Sequence, residues 1–220
     1  EKAPLVLVRR TVRVELRVNV AIVRVTYTAQ NRSGRPQEGR VEFTVPPGAA
    51  LHEATLLKQV ARNERRSKAI SAERASKLYS AVVSRSLDPA LVEWRKEDRY
   101  SLRFFPVMPR SDQTVSVAYA VEVRRGDAGF EVRIPLDADS NLARTKETRD
   151  HLDLVMGPTV RDARSETHEV AKSIVLTGSD ERFVLRYELT ASAKPVDFTR
   201  TMDWMSVKPY SIHMSVRIAM

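Results

Sequence analysis

The chain has 220 residues, no cysteine, and 37 Lys and Arg against 28 Asp and Glu, which gives a formal net charge of +9. The lack of cysteine excludes a disulfide framework, a thiolate metal site and a thiol nucleophile. With 42% hydrophobic and 30% charged residues, the composition is that of a folded protein and excludes a disordered or fibrous chain. The positive charge favours contact with polyanions such as nucleic acid or anionic polysaccharide.

Alternating apolar side chains predict a series of strands in the first sixty residues. The alternating positions are Val12, Val14, Leu16 and Val18, then Val23, Val25, Tyr27 and Ala29, and then Val41, Phe43 and Val45. The change of phase near residue 19 predicts a tight turn between the first two strands. Arg13, Arg17 and Arg24 occupy the alternate polar positions, which indicates a solvated outer sheet face.

Residues 71–86 carry the pattern of the one helix that the sequence predicts. Ser71 can serve as its N-cap, with Glu73 in the first turn. Its apolar side chains recur every three or four residues, at Ala72, Ala75, Leu78, Tyr79, Val82 and Val83. Asp88-Pro89 ends the helix, because the proline ring disfavours helical dihedrals at the preceding residue. The expected unit is therefore an amphipathic helix laid across a sheet.

A dense basic cluster lies just before this helix, at Arg62, Arg65, Arg66 and Lys68. One interpretation is a polyanion-binding loop, which predicts salt-dependent binding to heparin-like or nucleic-acid columns. The other interpretation is a hydrated loop without a ligand, because most charge runs are only solvated.

Further strands are expected after the helix, at residues 100–104, 115–123 and 130–134, followed by a polar, irregular stretch from 137 to 149. Four more strands then recur about every ten residues, at 152–156, 174–176, 183–189 and 212–218, a spacing typical of a sandwich. We therefore predict a mainly β protein with a first domain at 1–136 and a second, smaller β-sandwich-like portion at 137–220. Residues 212–218 are expected to form an edge strand that could pair with a partner.

Residues able to support catalysis are scattered. Four histidines, at 52, 151, 168 and 213, lack the HExxH spacing that places two on one helical face toward zinc. His151 and Asp153 should share a strand face, so a hydrolase site among His151, Asp153 and His168 is one alternative. Surface or loop positions are the other interpretation.

A calcium loop is also weakly suggested by Asp137, Asp139 and Asn141. However, Leu142 occupies the position where such a loop needs Gly, and Thr148 the position where it needs Glu. No nucleophile elbow, phosphate-binding glycine loop or dinucleotide fingerprint is present. We therefore expect no enzyme, no cofactor and no metal site.

The segment from Ala75 to Trp94 resembles the signature of the VIT domain, the module named from vault proteins and the heavy chains of inter-alpha-trypsin inhibitor. The matching runs are A-S-K-L-Y-S-A-V, L-D-P-A-L-V-E-W, Y-S-L-R-F-F-P-V-M-P and V-S-V-A-Y-A. The motif residues, for which the patterns of helix and strand favour structural roles, are Ala75, Tyr79, Asp88, Pro89, Trp94 and Tyr119.

The second half resembles the region that follows this module in the same proteins, through Ser165-Glu-Thr-His-Glu-Val170 and Asp197-Phe198. The resemblance implies a von Willebrand A domain as a neighbour after Met220, whose Asp-x-Ser-x-Ser metal motif is absent from these 220 residues. It further implies a non-catalytic module for protein interaction or scaffolding. The implied location is extracellular, periplasmic or at the cell envelope, with the cytoplasm as the alternative.

Overall fold

The computed structural model describes residues 3–57, 68–71, 90–194 and 210–214, and these residues form sixteen strands in three sheets. The mainly β class predicted from the alternating patterns is therefore confirmed, and none of the described residues is helical. The predicted helix at 71–86 lies outside these residues, apart from Ser71, which ends a strand.

Sheet A has six strands and includes the three longest in the described chain. In spatial order they are β14 (Ser173–Val175), β12 (Arg149–Met156), β1 (Leu5–Arg17), β2 (Val20–Asn31), β8 (Asp112–Glu122) and β4 (Ala50–Leu57). Neighbouring strands are antiparallel except for β1 and β12, which are parallel. Val18 and Asn19 form the turn between β1 and β2, where the change of apolar phase predicted it.

Sheets B and C contain the other ten strands. Sheet B has the order β11 (Ala138–Ser140), β3 (Gln37–Thr44), β7 (Arg99–Val107), β6 (Ala90–Lys96), β16 (Tyr210–Met214) and β5 (Lys68–Ser71). Sheet C has the order β13 (Val160–Arg164), β15 (Arg182–Leu189), β10 (Gly129–Pro135) and β9 (Arg125–Gly126). All of these strand pairs are antiparallel.

Alternation along the strands builds one hydrophobic core that includes side chains from all three sheets. In β1, Val14 and Leu16 are fully buried while Arg13 and Arg17 are exposed, as the period of two predicts. Strands β2 and β8 of sheet A contact β7 of sheet B, and the buried rings of Tyr119 and Phe104 belong to this core. Burial of a large apolar side chain contributes about 1.5–3 kcal/mol, so this core supplies the main stabilising term.

The opposite face of β8 is also buried, because its side chains are small. Ala118 lies between Arg24 of β2 and Glu53 of β4 in the strand register. Above Ala118 the guanidinium of Arg24 donates two hydrogen bonds to the carboxylate of Glu53, at 3.0 and 2.7 Å. A larger side chain at position 118 would occupy the space that this ion pair crosses. The small residue and the long charged pair therefore fit one another.

A buried ion pair joins the two parallel strands of sheet A. Arg10 of β1 and Asp150 of β12 are direct neighbours in register, and their side chains are only 4% and 3% exposed. The Arg10 Nε donates to Asp150 Oδ1 at 2.8 Å, and Arg10 Nη1 donates to the carbonyl oxygen of Leu136. Arg144 Nη2 lies 2.7 Å from the other carboxylate oxygen of Asp150. The charges of this interior site are thus paired rather than isolated.

The strands of the second half are distributed among all three sheets. Strands after residue 136 do not form a sheet of their own in the described chain: β12 and β14 join sheet A, β11 joins sheet B, and β13 and β15 join β10 in sheet C. The predicted division at 136/137 is therefore crossed by strand pairs in every sheet, and as a boundary between sequence modules it stays a prediction. The prediction that residues 212–218 form an edge strand is wrong for residues 212–214, the described part, because β16 pairs with β5 on one side and with β6 on the other.

Removal of one partner of the buried pair should destabilise the fold more than removal of both. We expect Asp150→Leu to lower the free energy of unfolding by about 3–5 kcal/mol, because Arg10 is left charged in the interior. Arg10→Met with Asp150→Leu should recover most of this loss, since Arg144 is 37% exposed and can turn to solvent. Urea unfolding of the two single variants and the double variant measures the coupling. If the double variant loses as much free energy of unfolding as the two single variants together, this role is contradicted.

Acidification should remove the contribution of the Arg24–Glu53 pair. The hydrogen bonds from Arg24 are the largest cause that lowers the pKa of Glu53 from 4.5 to about 2. A carboxyl group with a lowered folded pKa stabilises the fold above its unfolded pKa, and this contribution is lost as pH falls toward the folded value. We therefore expect Glu53→Gln to lower the Tm at pH 7 and to differ little from the parent near pH 2. Glu169→Gln, at an exposed position, is the control. A Tm difference that widens on acidification would refute the assignment.

Candidate interaction surface

The outer face of sheet A, where β12 lies beside β1, brings together basic residues that are far apart in the sequence. Arg149 lies next to Arg9 in the register, and Asp153 lies next to Arg13. The alternate residues of β12, such as Leu152, face the core, so this set faces outward. The three arginines are exposed, as the alternation predicted for Arg13. The sequence alone could not place Arg149 beside Arg9, because the pairing of β1 with β12 is not encoded in either strand's alternation.

His151 and Asp153 share this face, as the strand pattern predicted. His151 Nε2 lies 3.4 Å from Thr11 Oγ1 and 3.8 Å from Asp153 Oδ2, and Ser173 Oγ donates to Asp153 Oδ1 at 2.9 Å. A triad needs the hydroxyl on one ring nitrogen and the carboxylate on the other. Here the same nitrogen faces both groups. The arrangement links β1, β12 and β14 and does not have the geometry of an activated nucleophile.

His168 lies in the segment between β13 and β14, away from His151, and has structural partners. Its ring packs against Phe183 of β15 with centroids 5.7 Å apart. Its Nδ1 lies 2.9 Å from Thr167 Oγ1, and its Nε2 lies 3.5 Å from Asp180 Oδ2. The amide of Val184 donates to Thr167 Oγ1, which attaches residues 165–170 to β15. The structure therefore places His168 against sheet C, whereas His151 lies on sheet A.

The carboxylate of Asp180, which lies beside His168 and Thr177, is stabilised in its charged form. Burial raises its pKa, but hydrogen bonds from the backbone and side chain of Thr177 and from His168 outweigh burial, so the net pKa is lowered. The Thr177 amide donates to Asp180 Oδ2 at 2.6 Å. Thr167 thus attaches residues 165–170 to β15 of sheet C, and His168 contacts the turn from Thr177 to Asp180.

Asp137, Asp139 and Asn141, which suggested a calcium loop, lie in or beside the short strand β11. Asp139 is part of β11 and pairs with Glu42 of β3. The Asn141 side chain accepts a hydrogen bond from the Arg40 amide and donates one to the Glu38 carbonyl oxygen. These contacts extend sheet B. The described part of the chain contains no group of three or more His, Cys, Asp or Glu side chains placed to share a metal ion.

Most of the predicted binding and motif residues lie outside the described ranges. These are Arg62, Arg65, Arg66, Ala75, Tyr79, Asp88 and Pro89. Lys68 is the first residue of β5. Trp94 is half-buried near the end of β6, where its indole N–H donates to the Glu97 carbonyl oxygen at 2.6 Å. Tyr119 is buried in the core, where burial raises the pKa of its phenol.

An open groove beside the β9–β10 turn has a volume of about 400 Å³ and is lined by charged side chains. Several of these are paired within sheet C: Arg125 lies 3.4 Å from Glu188, and Arg186 Nε lies 2.6 Å from Glu131. The groove therefore offers little unpaired charge for a ligand.

Within the described ranges, no helix has the length and apolar character needed to span a bilayer.

Comparison with solved structures finds distant similarities. A putative nutrient binding protein from Legionella pneumophila aligns with a TM-score of 0.46 at 10% identity, over 83% of this chain and 67% of that one. Yeast LTA4 hydrolase aligns with a TM-score of 0.44 at 7% identity, over 85% of this chain and 29% of the enzyme. A Deinococcus radiodurans M1 zinc metallopeptidase variant aligns with a TM-score of 0.39 at 10% identity, over 83% and 42%.

A search of curated proteins finds no match to this sequence. The family model described as the vault protein inter-alpha-trypsin domain, or VIT, does match, over residues 7–119. These residues make up just over half of the chain and extend from β1 to β8. The match agrees with the resemblance carried by the motif runs around Trp94 and Tyr119. The chain belongs to the VIT domain family.

Proposed function

We propose that this chain is a non-catalytic module that binds another protein and supports a neighbouring domain or assembly. The observation that carries this proposal is the VIT family match over residues 7–119, because the VIT domain suggests a protein-interaction module. The finer role, a scaffold in an extracellular or cell-envelope protein with a von Willebrand A domain as its neighbour, is part of the proposal. A layered β-sandwich is a suitable scaffold, since rigid strands present loops and edges to a partner at low entropic cost.

The side chains that could have formed a catalytic site support this proposal by the contacts that they make. His151 and Asp153 bridge three strands, and His168 attaches a surface segment to β15. An enzyme needs such groups to converge on a substrate atom, with a base oriented toward a nucleophile. Here each group contacts a different structural neighbour. The arrangement favours a structural use of these residues.

The edge of sheet A at β14 is the partner contact that we propose. Val175 is 81% exposed there and lies next to His151 in the register. Among the residues that the structure describes, β14 pairs only with β12, so we propose that a strand of the partner adds to its other side. With only three residues, β14 offers few main-chain hydrogen bonds. Most of the contact would therefore be made by the side chains of β14 and β12.

A photo-crosslinking amino acid at position 173 tests this proposal in the cells that produce the protein. We expect a discrete adduct with a partner protein, and we expect Val175→Lys to remove it by placing a charge at an apolar contact. The same crosslinker at Asp127, on the exposed β9–β10 turn, is the control for random collisions. Lys172→Ala is the matched substitution and should leave the adduct unchanged.

Two outcomes would contradict the proposal. One is an adduct pattern from position 173 that matches the pattern from position 127 and is insensitive to Val175→Lys. The other is a measurable hydrolytic turnover that His151→Ala or His168→Ala removes while thermal unfolding remains that of the parent. The second outcome would establish the enzyme alternative.

A further inference from the structure

Arg9 and Arg149 form a pair of like charges on the surface of sheet A. They are direct register neighbours on β1 and β12, and Arg13 follows on the same face. Adjacent strands are about 4.8 Å apart, so the two side chains leave the sheet side by side. Like charges directly opposite one another destabilise a strand pair. The side chains of the three arginines make no hydrogen bond or ion pair with another residue that the structure describes.

The acidic residues Glu15 and Asp153, which lie on the same face of β1 and β12, already have partners. Glu15 Oε1 lies 2.7 Å from Arg17 Nη2, and Asp153 accepts the hydroxyl of Ser173 and lies near His151. Arg24, on the neighbouring strand β2, forms an ion pair with Glu53. The strip defined by Arg9, Arg13 and Arg149 therefore carries excess positive charge. We call it the β1–β12 basic strip.

We propose that the β1–β12 basic strip binds a linear anionic polysaccharide. An arginine guanidinium can form two parallel hydrogen bonds to a carboxylate or sulfate group and retains its charge at all physiological pH values. Arg9 and Arg13 are four residues apart on one strand, which is about 13 Å. A polymer with repeated acidic groups can span that distance on a flat face, with the hydroxyl of Thr11 between the two charges.

The composition of the face distinguishes this ligand from single-stranded nucleic acid. Proteins that bind single strands stack the bases on aromatic side chains along a basic groove. The outward residues of β12, β1 and β2 contain no Phe, Tyr or Trp, and apart from the arginines they are mainly Thr, His, Gln and acidic residues. Such a face provides charge and hydroxyl groups without a stacking platform. The strip consists of other residues than the basic cluster at residues 62–68, and the proposal does not depend on the protein-partner role.

The test is retention of the full chain on immobilised heparin, a sulfated polysaccharide, across a NaCl gradient. We expect Arg9→Glu with Arg149→Glu to elute at much lower salt. The slope of log affinity against log salt should fall by about one unit for each arginine that no longer binds an anionic group. The matched control is Arg99→Glu with Arg182→Glu. It makes the same change in net charge at two exposed positions on sheets B and C and should retain most of the binding.

The single variant Arg149→Glu separates binding from folding. It places opposite charges side by side on β1 and β12, so we expect its Tm to equal or exceed that of the parent while heparin retention falls. An unfolded variant cannot produce that combination.

Three results would overturn the proposal. The first is equal loss of retention in the control pair, which would show that only net charge matters. The second is loss of retention on reversal of Arg62, Arg65, Arg66 and Lys68 with no effect of Arg9→Glu and Arg149→Glu. The third is tighter binding of single- or double-stranded DNA of equal length than of heparin at physiological salt, which would assign the strip to nucleic acid.

Discussion

The parallel contact between β1 and β12, with the Arg10–Asp150 pair at its buried side, is the constraint on which the rest of the arrangement depends. A parallel pair cannot be closed by a tight turn, and here the two strands are separated by more than a hundred residues. The side chains of both residues are almost fully buried, so each charge requires its partner. Arg10 also donates to Leu136, and Arg144 reaches Asp150. This one cluster therefore connects the first strand, the segment after β10 and the start of β12.

The same pairing produces the surface that the chain can offer to a ligand. Once Arg10 and Asp150 face inward in register, Arg9 and Arg149 must face outward side by side, because successive residues of a strand alternate between faces. The interior ion pair and the exterior basic strip are thus two consequences of one register. A partner at β14 and a polyanion over β1 and β12 would both contact the outward side chains of β12, so the two ligands are expected to compete there, although each proposal can hold without the other.

The long strands were predictable from the sequence, but the short strands β5, β9, β11 and β13 and the partners of all strands were not. The alternation around Val14, Val25 and Val117 correctly indicated which side chains are buried, since period two identifies the faces of a strand. It contains no information about which strand lies alongside, so the placement of β11, β12 and β15 in three different sheets was not predicted. Residues 212–218 were expected at an edge for the same reason, whereas β16 lies between two strands.

The candidate surface was only partly visible in the sequence. Arg10 and Asp150 each occupy an inward position of the alternating pattern, two residues before Val12 and Leu152 respectively. Two opposite charges at inward positions could have indicated a buried ion pair. Arg13 was correctly assigned to an outer face, but only the register places Arg149 beside Arg9. The partners of the histidines, such as Phe183 for His168, come from tertiary contacts that no local pattern encodes.

Hydrogen exchange of the native protein measures the central claim most directly, because it reports the free energy with which individual strands open. If the β1–β12 contact makes the strands before and after residue 136 one cooperative unit, the slowest amides of β1, β8, β12 and β15 should exchange with the same free energy. In Asp150→Leu these free energies should all decrease together. Exchange of β12 and β15 at a distinctly lower free energy, with β1 and β8 unchanged in the variant, would contradict the account.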